Sequence, residues 1–339
     1  MISTNINKIF IHFSPIASNF CKIRLDGLIS KRKWTTALKS RSESDELKIM
    51  RALNTRSNLS PKEKKYYFKL ENGFQGELMF DVLTEKLQSD MLVINDLCLE
   101  INDTIFQIDT LIIAQNTIYP FEVKNCSGDY VYDSEGFHKI SGPDITNPLH
   151  QINRSKLLLR QLLQSQGYNI PIEPTVVFIN PEFTLYQAPL NQPIIYPTQI
   201  NGFMKEFDRT PSKLNDRHKR IADQLISMHS NKSPYITRLP TYKFAQMKKG
   251  IVCPKPKCDS YMVSGGDKTV ICEKCGYVET DESALLRCVA EIELLFPEMK
   301  ITTGLVFEWC GGIKSTKFIR RVLIQNYTAK GGRKFCYFE

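Results

Sequence analysis

Residues 107–125 read QIDTLIIAQNTIYPFEVKN, an apolar run that doubles back at Gln115-Asn116 and carries Asp109, Glu122 and Lys124 where a buried strand should hold no charge. Burying a carboxylate or ammonium without a partner costs several kcal/mol or shifts its pKa until it neutralises. Three such groups inside a Val/Ile/Leu/Phe run therefore point to chemistry. The alternation predicts strands at 106–114 and 117–124, and a strand at 91–101 completes an antiparallel three-stranded meander. In that arrangement Asp109 and Glu122 face each other across the ladder, and Lys124, two residues on, shares the face of Glu122.

Before the meander, helical spacing of Leu47, Met50 and Leu53 starts at Ser44, and Ser60-Pro61 opens a second helix with an N-cap and a first-turn proline. On that helix Phe74, Leu78, Val82 and Leu83 form the expected apolar stripe, with Glu77 one residue away at a cleft edge. After the meander, residues 125–142 read as a loop or irregular hairpin over the sheet end. Asn147-Pro148 starts a helix that Gly167 stops, TVVFIN at 175–180 is a buried strand, and 194–196 is a short one. The resulting order, α-β-β-β-α-β, predicts an α/β domain with a mixed sheet flanked by helices. A polar helix at 211–229 and a basic linker at 231–250 follow, and there is no internal repeat.

At 339 residues, 42% hydrophobic and 24% charged, the chain has the composition of a soluble multi-domain protein. No run approaches the ~20 apolar residues needed to span a bilayer. The IFIHFSPIA run after Lys8 lacks a cleavage pattern, so residues 1–40 are expected to be a loosely ordered extension and not an export signal. The net charge of +9 is uneven: residues 231–257 carry +7 and residues 300–339 carry +6. Clustered Lys and Arg of this kind suit a polyanionic partner, and DNA is the expected one.

Two carboxylates and an ammonium on one sheet face, with the Val123 carbonyl nearby, suit Mg²⁺ or Mn²⁺, which keeps waters and takes phosphate oxygens as further ligands. An upstream helical Glu, then Asp, then Glu-x-Lys is the arrangement of the PD-(D/E)xK nucleases, which this segment resembles. More specifically, GFQGE at 73–77, QIDTLII at 107–113, FEVKN at 121–125 and NPLHQ at 147–151 are similar to the successive motifs of the NERD family, the nuclease-related domain, over roughly 61–205. The resemblance implies a restriction-endonuclease-like fold and site roles for Glu77, Asp109, Glu122, Lys124 and Gln151. The chain departs from the family at Ser155, where an Asn is often found. His138 and His150 read as ordinary hydrogen-bonded residues, since the carboxylate and lysine set already supplies the chemistry.

Of ten cysteines, four are spaced as Cys253-x4-Cys258 and Cys272-x2-Cys275-Gly276, the pattern of two knuckles around one structural Zn²⁺. Such spacing fits a zinc ribbon in a reducing, cytoplasmic setting. Helices at 283–296, 303–310 and 315–326, a Gly311-Gly312 turn and a terminal FCYF strand give the layout of a winged helix-turn-helix. Phe318, Ile319, Val322 and Leu323 would pack inward, leaving Lys314, Lys317, Arg320, Arg321, Arg333 and Lys334 toward nucleic acid. Similar tails accompany the NERD domain in some bacterial proteins.

The expected organisation is thus an extension and helical lead-in at 1–60, a nuclease-like domain at 61–210, a helix and linker at 211–249, a zinc ribbon at 250–280 and a winged-helix-like module at 281–339. The expected function is Mg²⁺-dependent hydrolysis of phosphodiester bonds in DNA. The alternative is a catalytically silent DNA-binding or regulatory protein that keeps the fold.

Overall fold

Ser44 accepts the Leu47 N–H and opens α1 (Asp45–Arg56), and Ser60 with Glu63 forms a reciprocal capping box at the head of α2 (Pro61–Thr84). The computed structural model in which these helices are seen describes residues 37–134, 136–141, 146–230, 239–256, 258–332 and 335–339, all within a unit spanning 34–339. The expected extension lies outside the described residues up to position 36, as do Arg333 and Lys334.

The meander follows α2. Strand β1 (Leu92–Ile101) turns through Asn102 and Asp103, both at positive φ, into β2 (Thr104–Ile113), which returns as β3 (Ile118–Lys124). Next come β4 (Gly128–Asp133), β5 (Gly136–Lys139), α3 (Pro148–Ser165), β6 (Thr175–Phe178), β7 (Phe183–Tyr186), β8 (Ile194–Ile195), α4 (Ile200–Phe207) and α5 (Asp216–Ser227). The main sheet has the order β1-β2-β3-β6-β8, antiparallel through β3 and parallel beyond it. This is the expected mixed sheet flanked by helices. One face carries Phe80 of α2 and Met204 and Phe207 of α4 against Ile112, Phe121 and Val123. The other carries Leu159, Leu162 and Leu163 of α3 and Ile221 and Leu225 of α5 against Ile94, Leu111 and Ile113. Each such buried side chain is worth about 1.5–3 kcal/mol relative to exposure, so these two layers fix the sheet on which the charged residues sit.

The structure differs from the sequence reading in three places. Where a loop or irregular hairpin is expected, the described residues of 125–142 pair regularly as the hairpin β4-β5, which β7 joins in parallel to make a second sheet of order β5-β4-β7. An aromatic stack explains why: Phe178 lies on Phe183 at 3.8 Å between ring centroids, with Phe137 and Tyr130 beyond. Helix α2 is rotated from the expected stripe, with Val82 52% exposed and Gly76, Phe80, Asp81 and Thr84 buried. A buried ion pair at Asp81 and a backbone contact at Gly76 choose the face, and neither registers in hydropathy. The third difference is α4, a strongly amphipathic helix absent from the expected elements.

Beyond residue 250, β9 (Ile251–Val252), β10 (Tyr261–Gly266), β11 (Thr269–Ile271) and β12 (Val278–Thr280) form a small antiparallel sheet. Helices α6 (Asp281–Leu295), α7 (Thr303–Trp309) and α8 (Thr316–Asn326) follow, then a two-stranded antiparallel sheet of β13 (Ala329–Lys330) and β14 (Tyr337–Phe338). Gly311 and Gly312, both at positive φ, make the turn before α8. Helix α1 packs into the core of this region: Leu47, Met50 and Leu53 join Leu285, Val289, Trp309 and Leu323. Buried Arg56 fixes the join by bonding Glu291 at 2.9 and 2.6 Å and the carbonyls of Lys248 and Gly250 at 2.8 and 3.0 Å. Among the described residues no helix is long and apolar enough to cross a membrane.

Candidate active site

The β2-β3 ladder pairs Thr110 with Phe121 and goes no further. One step on, Asp109 stands opposite Glu122, and the strands part because a side chain takes over the backbone's role: Asp109 Oδ2 accepts the Val123 N–H at 2.8 Å. The Val123 carbonyl points to the same strand edge as its N–H, toward Asp109. On the same face Lys124 Nζ donates to Glu122 Oε1 at 2.5 Å and to Gln151 Oε1, on α3, at 3.1 Å. Ser155, one turn further along α3, is buried and donates to the Gln107 carbonyl at 3.4 Å, tying the helix to the start of the same hairpin.

Glu77 reaches the site from α2, where its carboxylate is engaged by a residue that sequence reasoning missed. Arg41 Nη1 donates to Glu77 Oε2 at 2.7 Å, while Nε and Nη2 grip Asp81 at 2.9 and 3.0 Å. Asp81, missed with it, leaves one signal in the sequence, a carboxylate one turn from Glu77 on the same helix face. Arg41 had no such signal, since it precedes α1 in a segment without periodicity. Asp96 was missed as well: its positive φ of 54° places it in β1 across from Asp109, where it accepts from Gln107 Nε2 at 2.9 Å and lies 3.9 Å from Lys39 Nζ.

Burial pushes the carboxyls of Glu77 and Glu122 up to about 8, with the charge of Asp109 adding to both and Arg41 and Lys124 respectively opposing. Burial also raises Asp109, against the pull of Lys124 and the Val123 N–H. Burial works against the Lys124 ammonium, but Glu122 and Asp109 outweigh it and its pKa is raised. Counting Glu77, Asp81, Asp96, Asp109 and Glu122 against Lys39, Arg41 and Lys124, the fully ionised site holds two negative charges more than positive ones. One divalent cation balances that excess, and the donors present, carboxylates and a carbonyl, are those a hard ion takes. His138 pairs with Asp133 at 3.4 Å and His150 is exposed on α3, so neither histidine joins this set.

The four cysteines of the expected ribbon converge, with Cys253, Cys258, Cys272 and Cys275 Sγ atoms all within 4.8 Å of one another. The Cys253–Cys275 and Cys258–Cys272 separations are 3.6 and 3.5 Å. Four thiolates around tetrahedral Zn²⁺ at about 2.3 Å stand ~3.8 Å apart, so the cluster fits that ion. Gly276, at φ +72°, provides the turn after the second knuckle. It is the only group of three or more convergent metal-ligating side chains among the described residues.

On α8 Ile319, Val322 and Leu323 are buried, Phe318 packs against the same core, and Lys317, Arg320 and Arg321 are exposed. Lys314 differs from the expectation of an exposed cation: its Nζ lies 2.6 Å from Asp281 Oδ1 and both side chains are largely covered. An ion pair to the head of α6 removes it from the outward basic row.

Residues 72–179 match the family model of the nuclease-related domain, NERD. The matched span contains Glu77, Asp109, Glu122, Lys124 and Gln151 and excludes Arg41 and the cysteine cluster. No curated protein and no solved structure matches the chain.

Proposed function

We propose that this protein hydrolyses phosphodiester bonds in DNA with the help of Mg²⁺ or Mn²⁺, using the site at the open end of β2 and β3. The observation that carries the reading is the pair of buried carboxyls, Asp109 and Glu122, facing each other across the strand ends beside an ammonium held on Glu122 and Gln151. A nuclease-related segment whose span contains these same residues supports it. Asp109 and Glu122 would hold the ion, with the Val123 carbonyl at the same edge. When bound, the ion would supply Lewis acidity and a water of lowered pKa. Lys124, an ammonium at neutral pH in the metal-free site, is a donor and not a base there. It orients the attacking water and stabilises charge developing on the phosphoryl oxygens. Gln151 aims Lys124, and Glu77 closes the side of the site next to α2.

The same reading divides the chain into a nuclease domain at 61–210, a structural zinc ribbon at 250–280 and a winged-helix-like module at 281–339, with DNA held by Lys317, Arg320 and Arg321. Incubation with duplex, single-stranded and supercoiled DNA and with RNA, with and without Mg²⁺, tests it. Mg²⁺-dependent cleavage of DNA is expected, and its absence on every DNA substrate would overturn it.

A second reading, a catalytically silent DNA-binding protein, is favoured by one observation: Arg41 already occupies the Glu77 and Asp81 carboxylates. Under that reading DNA binds with a steep salt dependence and is never cut.

A further inference from the structure

The guanidinium of Arg41 sits in a cage of five oxygens. Glu77 Oε2 is at 2.7 Å, Asp81 Oδ2 and Oδ1 at 2.9 and 3.0 Å, the Asp109 carbonyl at 2.8 Å and Thr110 Oγ1 at 3.1 Å. Carboxylate, carbonyl and hydroxyl oxygens converging in this way are the donors a hard divalent cation takes. Here the chain fills the cage with its own cation. The Arg41 side chain is only 1% exposed, so it reaches no substrate and acts through the groups it holds.

Its delivery is built into the fold. Residues 38 and 39 add to the free edge of β1, with the Leu38 N–H donating to the Val93 carbonyl at 2.8 Å and the Asn95 N–H to the Lys39 carbonyl at 3.0 Å. Lys39 Nζ grips the carbonyls of Asn95 and Asp96 at 3.0 and 2.7 Å. This strap lies outside the nuclease-related match, yet it carries a side chain to two of that segment's site residues, Glu77 and Asp109. The planar fork of Arg meets Asp81 with two parallel bonds, a geometry that a lysine does not reproduce.

We propose that Arg41 is the resident second cation of the active site: it occupies the Glu77–Asp81–Asp109 cage and restricts the site to one exogenous divalent ion, held by Asp109 and Glu122. The proposal rests on the metal-dependent reading above and adds its stoichiometry. It follows that Glu77 is a partner of Arg41 and positions the site from α2, without ligating the ion.

Counting Mn²⁺ by electron paramagnetic resonance on the full chain, with zinc assayed separately, tests this without any turnover. The parent should bind about one Mn²⁺ per chain outside the cysteine cluster, and Arg41→Ser about two, the second displaced by millimolar methylguanidinium. Arg41→Lys, which keeps a cation, should stay at about one. Two ions in the parent, or one in a folded Arg41→Ser protein, would overturn the proposal while leaving a metal-dependent nuclease intact. A parent that binds none would overturn the metal-dependent reading and this proposal with it. Should Arg41→Ser fail to fold by circular dichroism, Glu77→Gln decides: Mn²⁺ affinity within about threefold of the parent is expected, and loss of binding would make Glu77 a ligand and refute the assignment.

Discussion

Gly76 of α2 packs directly against Asn125 at the end of β3, so closely that a Cβ on Gly76 would stand 2.4 Å from the Asn125 Cβ. These residues adjoin Glu77 and Lys124 in sequence, so their contact sets the distance between the two sides of the site. Asn125 secures it by donating to the Asn72 carbonyl at 2.8 Å and accepting from Asn180 Nδ2 at 2.9 Å. In Gly76→Ala, helix propensity gains about 1 kcal/mol and overpacking costs about 1–3 kcal/mol. The expected net result is a less stable protein with α2 displaced from β3. Urea denaturation of parent and variant measures it, and a variant more stable than the parent would show that the contact yields freely.

The raised carboxyls make stability depend on pH in a definite direction. Glu77 and Glu122 are pushed to about 8 from an ordinary value of 4.5, so the folded chain holds their protons more tightly than the unfolded one. Their contribution is complete below the ordinary value and is lost as pH rises through about 8. Without divalent ions the melting temperature should therefore fall between about pH 5 and pH 8.5. Mn²⁺, which binds the ionised Glu122, should lessen that fall, and Glu122→Gln should make the metal-free profile shallower. Melting curves across this range that show no fall, or a rise, contradict the electrostatic account.

Zinc should be integral to the C-terminal half. Cys253, Cys258 and Cys272 are buried within the core shared by α1, α6, α7 and α8, so losing the ion would expose more than the ribbon itself. The parent should carry about one zinc per chain. Cys272→Ser should lose most of it and become protease-sensitive beyond residue 240, with the β1-β3 region still protected. A zinc-free protein with parent-like protease resistance would refute the assignment.

The meander and its charges were legible because both signals are local. Alternation fixes the strands, and a carboxylate inside an apolar run is conspicuous wherever it is read. The cysteine spacing is likewise local chemistry. What sequence concealed depends on contacts between distant segments. Arg41 meets Asp81 and Asp109 only because two residues of an irregular segment add to the β1 edge, an event with no periodic trace. Lys314 looked like one more exposed base on a basic stretch until Asp281, at the head of another helix, paired with it. Residues 125–142 read as a loop or irregular hairpin because their Gly and Ser content is loop-like, while the aromatic stack that stabilises the second sheet is assembled from Tyr130, Phe137, Phe178 and Phe183 on four different strands.

In the proposed function Asp109, Glu122 and Lys124 form the metal and water half of a phosphodiester-cleaving site. The most direct measurement is the single-turnover rate of supercoiled DNA cleavage in Mg²⁺ by the parent, Asp109→Asn and Lys124→Ala, with DNA affinity recorded in parallel. DNA affinity close to the parent's is expected, with a cleavage rate reduced by a factor of about 100 or more in each variant, the scale of losing a positioned charge-stabilising group. Variants that cleave as fast as the parent would contradict it.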